Sequence, residues 1–297
     1  MSKSLASILA VLAAVLYAIS IPLSKILLDH IPPIFMAGFL YLGAGLGVSL
    51  LYLLKKDKSA DTPLTKEELP YTVGMIVLDT LAPIFLMIGL LTASPSSASL
   101  LNNFEIVATA VIALVVFKEK ISPMLSLAII LIVCASILLS VGSFEGLDFQ
   151  IGSLFILLAC VCWGFENNCT RVLSSKSTHQ IVMLKGIFSG LGSILTAIFV
   201  KEATPTILWI FIALILGFVS YGLSIFVYIK AQSVLGAAKT SAYYSLSPFI
   251  GVLLSLLLFG ISPNPNFLIA CGIMIIATTI IVMDTFELKI KAATKVK

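Results

Sequence analysis

About ten apolar runs, each near the 20 residues that carry a helix across a bilayer, constrain this chain more than any single motif. They lie near residues 5–27, 33–54, 71–93, 96–117 and 122–142, and again near 151–173, 180–200, 205–229, 237–259 and 266–286. The bilayer core offers no water to backbone groups, so a spanning segment is a helix or a strand of a closed barrel. These continuous Leu, Ile, Val and Ala runs lack the period-two alternation of barrel strands, so an all-α membrane protein is predicted. Composition agrees, with 11% charged residues and a mean hydropathy of +1.15, where soluble domains carry about 25% charged residues. Lys3, the first apolar core and Ala18-Ile19-Ser20 imitate a secretory signal with its cleavage site. The run continues past that site to Leu28, which reads as a span.

The runs fall into two sets. Ala98–Pro123 holds Glu105 inside an apolar stretch and closes on Lys118, Glu119, Lys120 and Ile121-Ser122-Pro123. About 140 residues later, Ala238–Pro263 closes on Ile261-Ser262-Pro263, a spacing far beyond the roughly 20–50 residues of solenoid repeats. Tyr17, Ala18 and Lys25 likewise correspond to Trp163, Gly164 and Arg171. The chain thus divides into two five-helix halves, 1–142 and 143–297.

Lysine and arginine placement sets the orientation. With the N-terminus in the cytoplasm of a cell-membrane protein, the inner set is Lys3, Lys55, Lys56, Lys58, Lys66, Lys118, Lys120, Arg171, Lys176, Lys230, Lys289, Lys291, Lys295 and Lys297. Lys25 and Lys201 are left outside, with Glu145 and Asp148 on the outer connection between the halves, and both termini are predicted cytoplasmic. An odd number of spans per half inverts the second half relative to the first, an arrangement common in transporters. The net charge of +4 is spread over these connections and the C-terminus, which argues for topology and against nucleic acid as a partner. The polar segment Lys55–Leu69 and the basic tail read as solvated anchors.

Enzymatic chemistry is thinly represented. His30 and His179 sit at helix ends without partners at metal-ligand or nucleophile spacing, and no HExxH, GxSxG or Gly-rich phosphate loop occurs. No cofactor or metal site is expected. Cys134, Cys160, Cys162, Cys169 and Cys271 fall inside spans without CxxC spacing and read as small packing residues.

Polarity inside the spans carries the functional signal, because an ionisable group at a helix centre costs roughly 2.5–3.5 kcal/mol and faces a cavity or a partner. At about 1.5 Å of rise per residue, Asp79 and Glu105 come out near the midplane and Glu166 on its cytoplasmic side. Asp284 comes out at the rim, where it is expected to be solvated. Glu105 shares a helix face with Asn102 and Thr109. That stripe is either a hydrogen-bonded helix contact, worth about 0.6 kcal/mol, or a ligand contact. In the sixth span Trp163, Asn167 and Thr170 share a face beside Glu166, and Lys185 lies at a depth suited to pairing with Glu166. That pairing leaves Asp79 and Glu105 without an evident basic partner. The expected cavity lining is Tyr17, Asp79, Asn102, Glu105, Trp163, Glu166, Asn167, Tyr243 and Ser245.

An aromatic residue near the end of the first span of each half, followed by Gly164 in the second and Ala18 in the first, is one family-like feature. A fourth span ending Phe117-Lys118-Glu119-Lys120-Ile121-Ser122 is another. With two five-helix halves, these resemble the EamA family of the drug/metabolite transporter superfamily over nearly the whole chain. The most specific element is the span-end Glu119, replaced by Phe259 in the second half. The resemblance implies a ten-helix inner-membrane carrier of small metabolites, often an exporter, with a central cavity between the halves. The expected function is a secondary transporter moving an amino acid, amine or drug-like compound by alternating access, with the lipid bilayer as its surroundings and protons as a candidate coupling ion. The alternatives that stay open are a channel, which needs a continuous polar stripe on several helices where here polarity clusters near mid-depth, a non-catalytic membrane scaffold, and, behind these, an intramembrane enzyme, which needs a convergent His/Asp/Ser set.

Overall fold

Proline opens four of the helices and a left-handed glycine closes another, and between these signals lie apolar segments of membrane-spanning length. The computed structural model describes residues 2–54, 62–116, 118, 121–140, 150–173, 176–235, 240, 243–260 and 262–295. The helices are α1 (Lys3–Leu27), α2 (Pro33–Leu54), α3 (Lys66–Thr92), α4 (Pro95–Val115), α5 (Pro123–Ser140), α6 (Ile151–Leu173), α7 (Thr178–Phe199), α8 (Ile207–Ala231), α9 (Ser247–Phe259) and α10 (Pro265–Asp284). Among the described residues all but α9 are long and apolar enough to cross a membrane. A first-turn proline loses nothing, since its missing N–H has no intrahelical partner there. Gly260, at φ 60°, takes the left-handed conformation that ends α9. Large apolar side chains such as Phe199, Ile207 and Leu257 stand exposed on the outside of the bundle, the surface that hydrocarbon covers in a membrane.

The two halves pack as an inverted pair. Gly89 of α3 lies against Gly152 of α6 while Gly74 lies against Cys169, so these two helices run antiparallel. With alternating crossings α1 and α3 point the same way, and α6 therefore opposes α1. Exchanging each helix with its counterpart five places on maps the α3–α6 contact onto α8–α1, and maps α2–α7, α4–α9 and α5–α10 onto themselves.

Without a hydrophobic drive between helices in lipid, close packing of small residues holds such contacts. The face of α1 turned inward is Ala6, Ala10, Ala13, Ala14 and Ala18, and across it Ser224 of α8 donates to the Ala13 carbonyl at 2.9 Å. Gly45 and Gly186 meet where α2 crosses α7, and a Cβ added to Gly186 falls 2.5 Å from the Gly45 Cα. Lys25 donates to the carbonyls of Leu90 and Leu91 at the end of α3, a site where a cation is favoured by the helix dipole.

Asp284 departs from expectation in one respect: it stands at the end of the apolar span of α10, within a helix that runs on to Lys295, but it is buried rather than solvated. Lys55, Lys56, Lys58, Phe117, Glu119, Lys120, Glu145, Asp148 and Ile261 lie outside the described residues.

Candidate functional site

Four helices lose regular geometry in the middle of the bundle. α1 is interrupted at Ile19 and α4 at Asn102–Asn103, while α7 widens into a π segment at Lys185–Ser189 and α8 at Phe218–Leu223. Irregular turns of this kind are frequent at functional sites because they re-aim side chains within a packed helix. In α3, Pro83 leaves the carbonyl of Asp79, four residues earlier, without its intrahelical donor. Together these elements enclose a cavity of about 230 Å³ lined by Tyr17, Tyr41, Ala44, Asp79, Glu105, Trp163, Glu166, Asn167, Val182, Lys185, Gly186, Tyr221, Ile225 and Tyr244.

One wall is a charged knot. The Lys185 ammonium lies 3.0 Å from Asp79 Oδ2 and 3.1 Å from Glu166 Oε1, joining α3, α6 and α7. Asp79 is fully buried and Glu166 almost so. Tyr41 donates to Asp79 Oδ1 at 2.9 Å and accepts from Trp163 Nε1 at 3.1 Å. Thr170 donates to Glu166 Oε1 one helical turn away. Each buried carboxylate thus has an ion-pair partner, although two carboxylates on one ammonium keep one net negative charge.

Glu105 lies on the same cavity, against Asn167 of α6, the residue next to Glu166. It occupies the first turn of the inner part of α4, just after the break at Asn102–Asn103, where the helix dipole favours a negative charge. Asn167 donates to Glu105 Oε1 at 2.7 Å and to Thr109 Oγ1 at 3.2 Å. Gly164 makes this approach feasible, since a Cβ there would meet Ala108 Cβ at 2.6 Å. Asn168 locks the same contact by donating to the carbonyls of Thr109 and Gly164. Among the described residues Glu105 forms no ion pair. Around it the ring of Tyr17 stands 5.6 Å from that of Tyr221 and 5.7 Å from that of Tyr244, and Tyr41 lies 5.5 Å from Tyr221.

The sequence profile of the EamA-like transporter family matches residues 4–141 and 150–283. The chain belongs to the EamA-like transporter family. It therefore belongs to the drug/metabolite transporter superfamily and is a membrane transporter. A protein of Methanothermobacter thermautotrophicus named an uncharacterized transporter is 22% identical over 271 residues, covering 83% of this chain and 77% of that one. A solved crystal structure superposes with a TM-score of 0.68 at 16% identity, covering 97% of this chain and 99% of the other; this likeness concerns the fold.

Of the residues that sequence reasoning placed around a cavity in this EamA-like transporter, Tyr17, Asp79, Glu105, Trp163, Glu166 and Asn167 come together on one. Asn102 stands just behind it, its amide 3.4 Å from the Tyr17 hydroxyl. Tyr243 and Ser245 do not line it; Tyr244 does, because the helical turn that precedes α9 directs the neighbouring side chain inward. The paired state of Asp79 is a second correction. Lys185 serves both Asp79 and Glu166, because the π segment of α7 begins at Lys185 and sets its ammonium between α3 and α6. Tyr41 and Tyr221 were missed. Their signal was a phenol inside an otherwise apolar span, where a hydroxyl needs a partner.

Proposed function

We propose that the protein is a secondary transporter that carries a small amine or zwitterion across the cytoplasmic membrane by alternating access, with Glu105 as the carboxylate that holds the ligand's ammonium group. One observation carries the reading: of the three acids on the cavity, Glu105 is the one without an ion pair among the described residues. A cavity with three carboxylates and one lysine ammonium attracts cations, and an ammonium against Glu105 also meets the faces of tyrosines, a contact worth about 0.5–2 kcal/mol. The inverted halves supply the mechanical part. Two similar halves packed about a site near mid-depth expose it to one side and then the other by rocking against each other. A proton on Glu105 in the empty carrier is the chemical equivalent of the ligand's charge, which makes the proton the candidate coupling ion. Both termini are assigned to the cytoplasm on the lysine distribution.

The experiment is transport in proteoliposomes, with simple amines and amino acids as probes and an imposed pH gradient. Glu105→Gln keeps the size and the hydrogen bond with Asn167 and removes the charge. Loss of amine transport and of its pH dependence in folded Glu105→Gln is the expected result. Unchanged transport would reduce Glu105 to a polar helix contact.

A further inference from the structure

A second cavity adjoins the central one. Val182 and Ile225 line both, and the second measures about 410 Å³. This cleft lies between the last turns of α2, at Val48, Leu51 and Leu54, and the inner part of α8, at Phe226 and Ile229. Val48 is buried at its floor and Leu54 is exposed at its rim. Size decides how the two spaces are to be read. The central cavity, at about 230 Å³, falls short of the roughly 300–1,000 Å³ of small-molecule sites, whereas the two joined fall inside that range. The acids and Lys185 lie at one end of the joined space, whereas the other is lined mainly by aliphatic and phenyl groups, with Thr178, His179 and Lys230 also on its wall.

We infer that the ligands are amphipathic amines, with the ammonium group against Glu105 and an apolar body of several carbons running past Val182 and Ile225 into the cleft at Leu51 and Ile229. This rests on the role of Glu105 proposed above and adds the apolar half of the ligand. A compact hydrophilic amine uses only the polar end. An apolar molecule without a cation leaves Glu105 unmatched. The cleft therefore sets specificity through chain length, at about fourfold in affinity per methylene buried.

The test is binding of straight-chain primary amines, from ethylamine to octylamine, to the purified full-length protein. The chain has two tryptophans, so Trp209→Phe leaves Trp163, on the cavity wall, as the fluorescent reporter. Affinity should rise about fourfold per methylene until the cleft is full. Leu51→Phe combined with Ile229→Phe fills the cleft and should flatten the rise beyond about butylamine while leaving ethylamine unchanged. Partition of long amines into detergent raises both series equally, so the difference between the slopes is the readout. Ile229→Phe alone, the milder change, carries the comparison where the double variant does not fold. Equal slopes, with ethylamine binding still abolished by Glu105→Gln, would overturn the apolar half of the site and leave the role of Glu105 standing. Ethylamine binding that survives Glu105→Gln would overturn both.

Discussion

Two acidic regions face one cavity and are built in opposite ways. Asp79 and Glu166 share the Lys185 ammonium at 3.0 and 3.1 Å, and Tyr41, Trp163 and Thr170 take up further hydrogen-bonding capacity around them. Among the described residues Glu105 has a single neutral side-chain donor, the Asn167 amide at 2.7 Å. Acids at similar depth thus differ in what completes them. In the knot each acid has an ion-pair partner and three helices are tied together; in the function proposed above, Glu105 is completed by a cation or a proton from elsewhere. An ionisable residue inside a membrane protein is accordingly a functional candidate in proportion to what its own chain leaves unsatisfied.

The largest expected effect comes from cutting the knot at its centre. Lys185→Met leaves two buried carboxylates facing each other without a counter-charge, a change of the class that costs about 3–5 kcal/mol. A melting temperature well below that of the native protein, recovered when Asp79→Asn and Glu166→Gln are added, is expected in detergent thermal melts. A Lys185→Met protein as stable as the native one would mean that the knot holds nothing together. The next effect separates the two regions. Glu105→Gln should leave the melting temperature almost unchanged but weaken binding of an ammonium ligand by at least about tenfold, equivalent to 1.4 kcal/mol. Glu166→Gln should mainly lower stability. The reverse pattern would exchange the two roles.

Much of this arrangement was legible in the residues. Span positions and the inverted duplication follow from hydrophobicity and the Ile-Ser-Pro repeats, because the bilayer forces apolar length onto every crossing. Six of the nine predicted lining residues reach the cavity, since helical periodicity places Trp163 beside Asn167 and sets Glu166 next to them. The sharing of Lys185 was not legible. An α-helical projection gives its depth but not its direction, and the π segment that begins at Lys185 alters that direction. Tyr243 and Ser245 miss the cavity for a related reason: the chain turns at Ser245–Leu246 before α9 begins, and the sequence does not show which side chain that turn directs inward. Local breaks in helix geometry are where the site is built and where periodic reasoning is weakest.

A smaller perturbation sharpens the contrast without touching a charge. Gly186 follows Lys185, and a Cβ there would fall 2.5 Å from the Gly45 Cα and nitrogen, so Gly186→Ala pushes α7 away from α2. Overpacking of this kind costs about 1–3 kcal/mol. The displacement reaches Lys185, the next residue, before Glu105, which lies on α4. The expected outcome is a lowered melting temperature with ethylamine affinity within about twofold of native; an equal loss of both would show that the two regions move together.

The smallest effect tests whether the two regions are energetically separate. Tyr41 joins Asp79 to Trp163 through one hydroxyl, accepting at 3.1 Å and donating at 2.9 Å. Tyr41→Phe removes that oxygen while keeping the ring, and hydrogen bonds of this kind contribute about 0.5–1.5 kcal/mol. Groups in one hydrogen-bond network show coupling energies of about 0.5–3 kcal/mol in double-mutant cycles, whereas independent sites add to within about 0.5 kcal/mol. A cycle of Tyr41→Phe with Asp79→Asn should therefore show coupling in the melting data. One of Tyr41→Phe with Glu105→Gln should be additive, because Glu105 has no hydrogen-bond partner in common with Tyr41. Coupling in the second cycle of the size found in the first would merge the regions into one network, and the assignment of one to holding the helices and the other to holding a ligand would then fail.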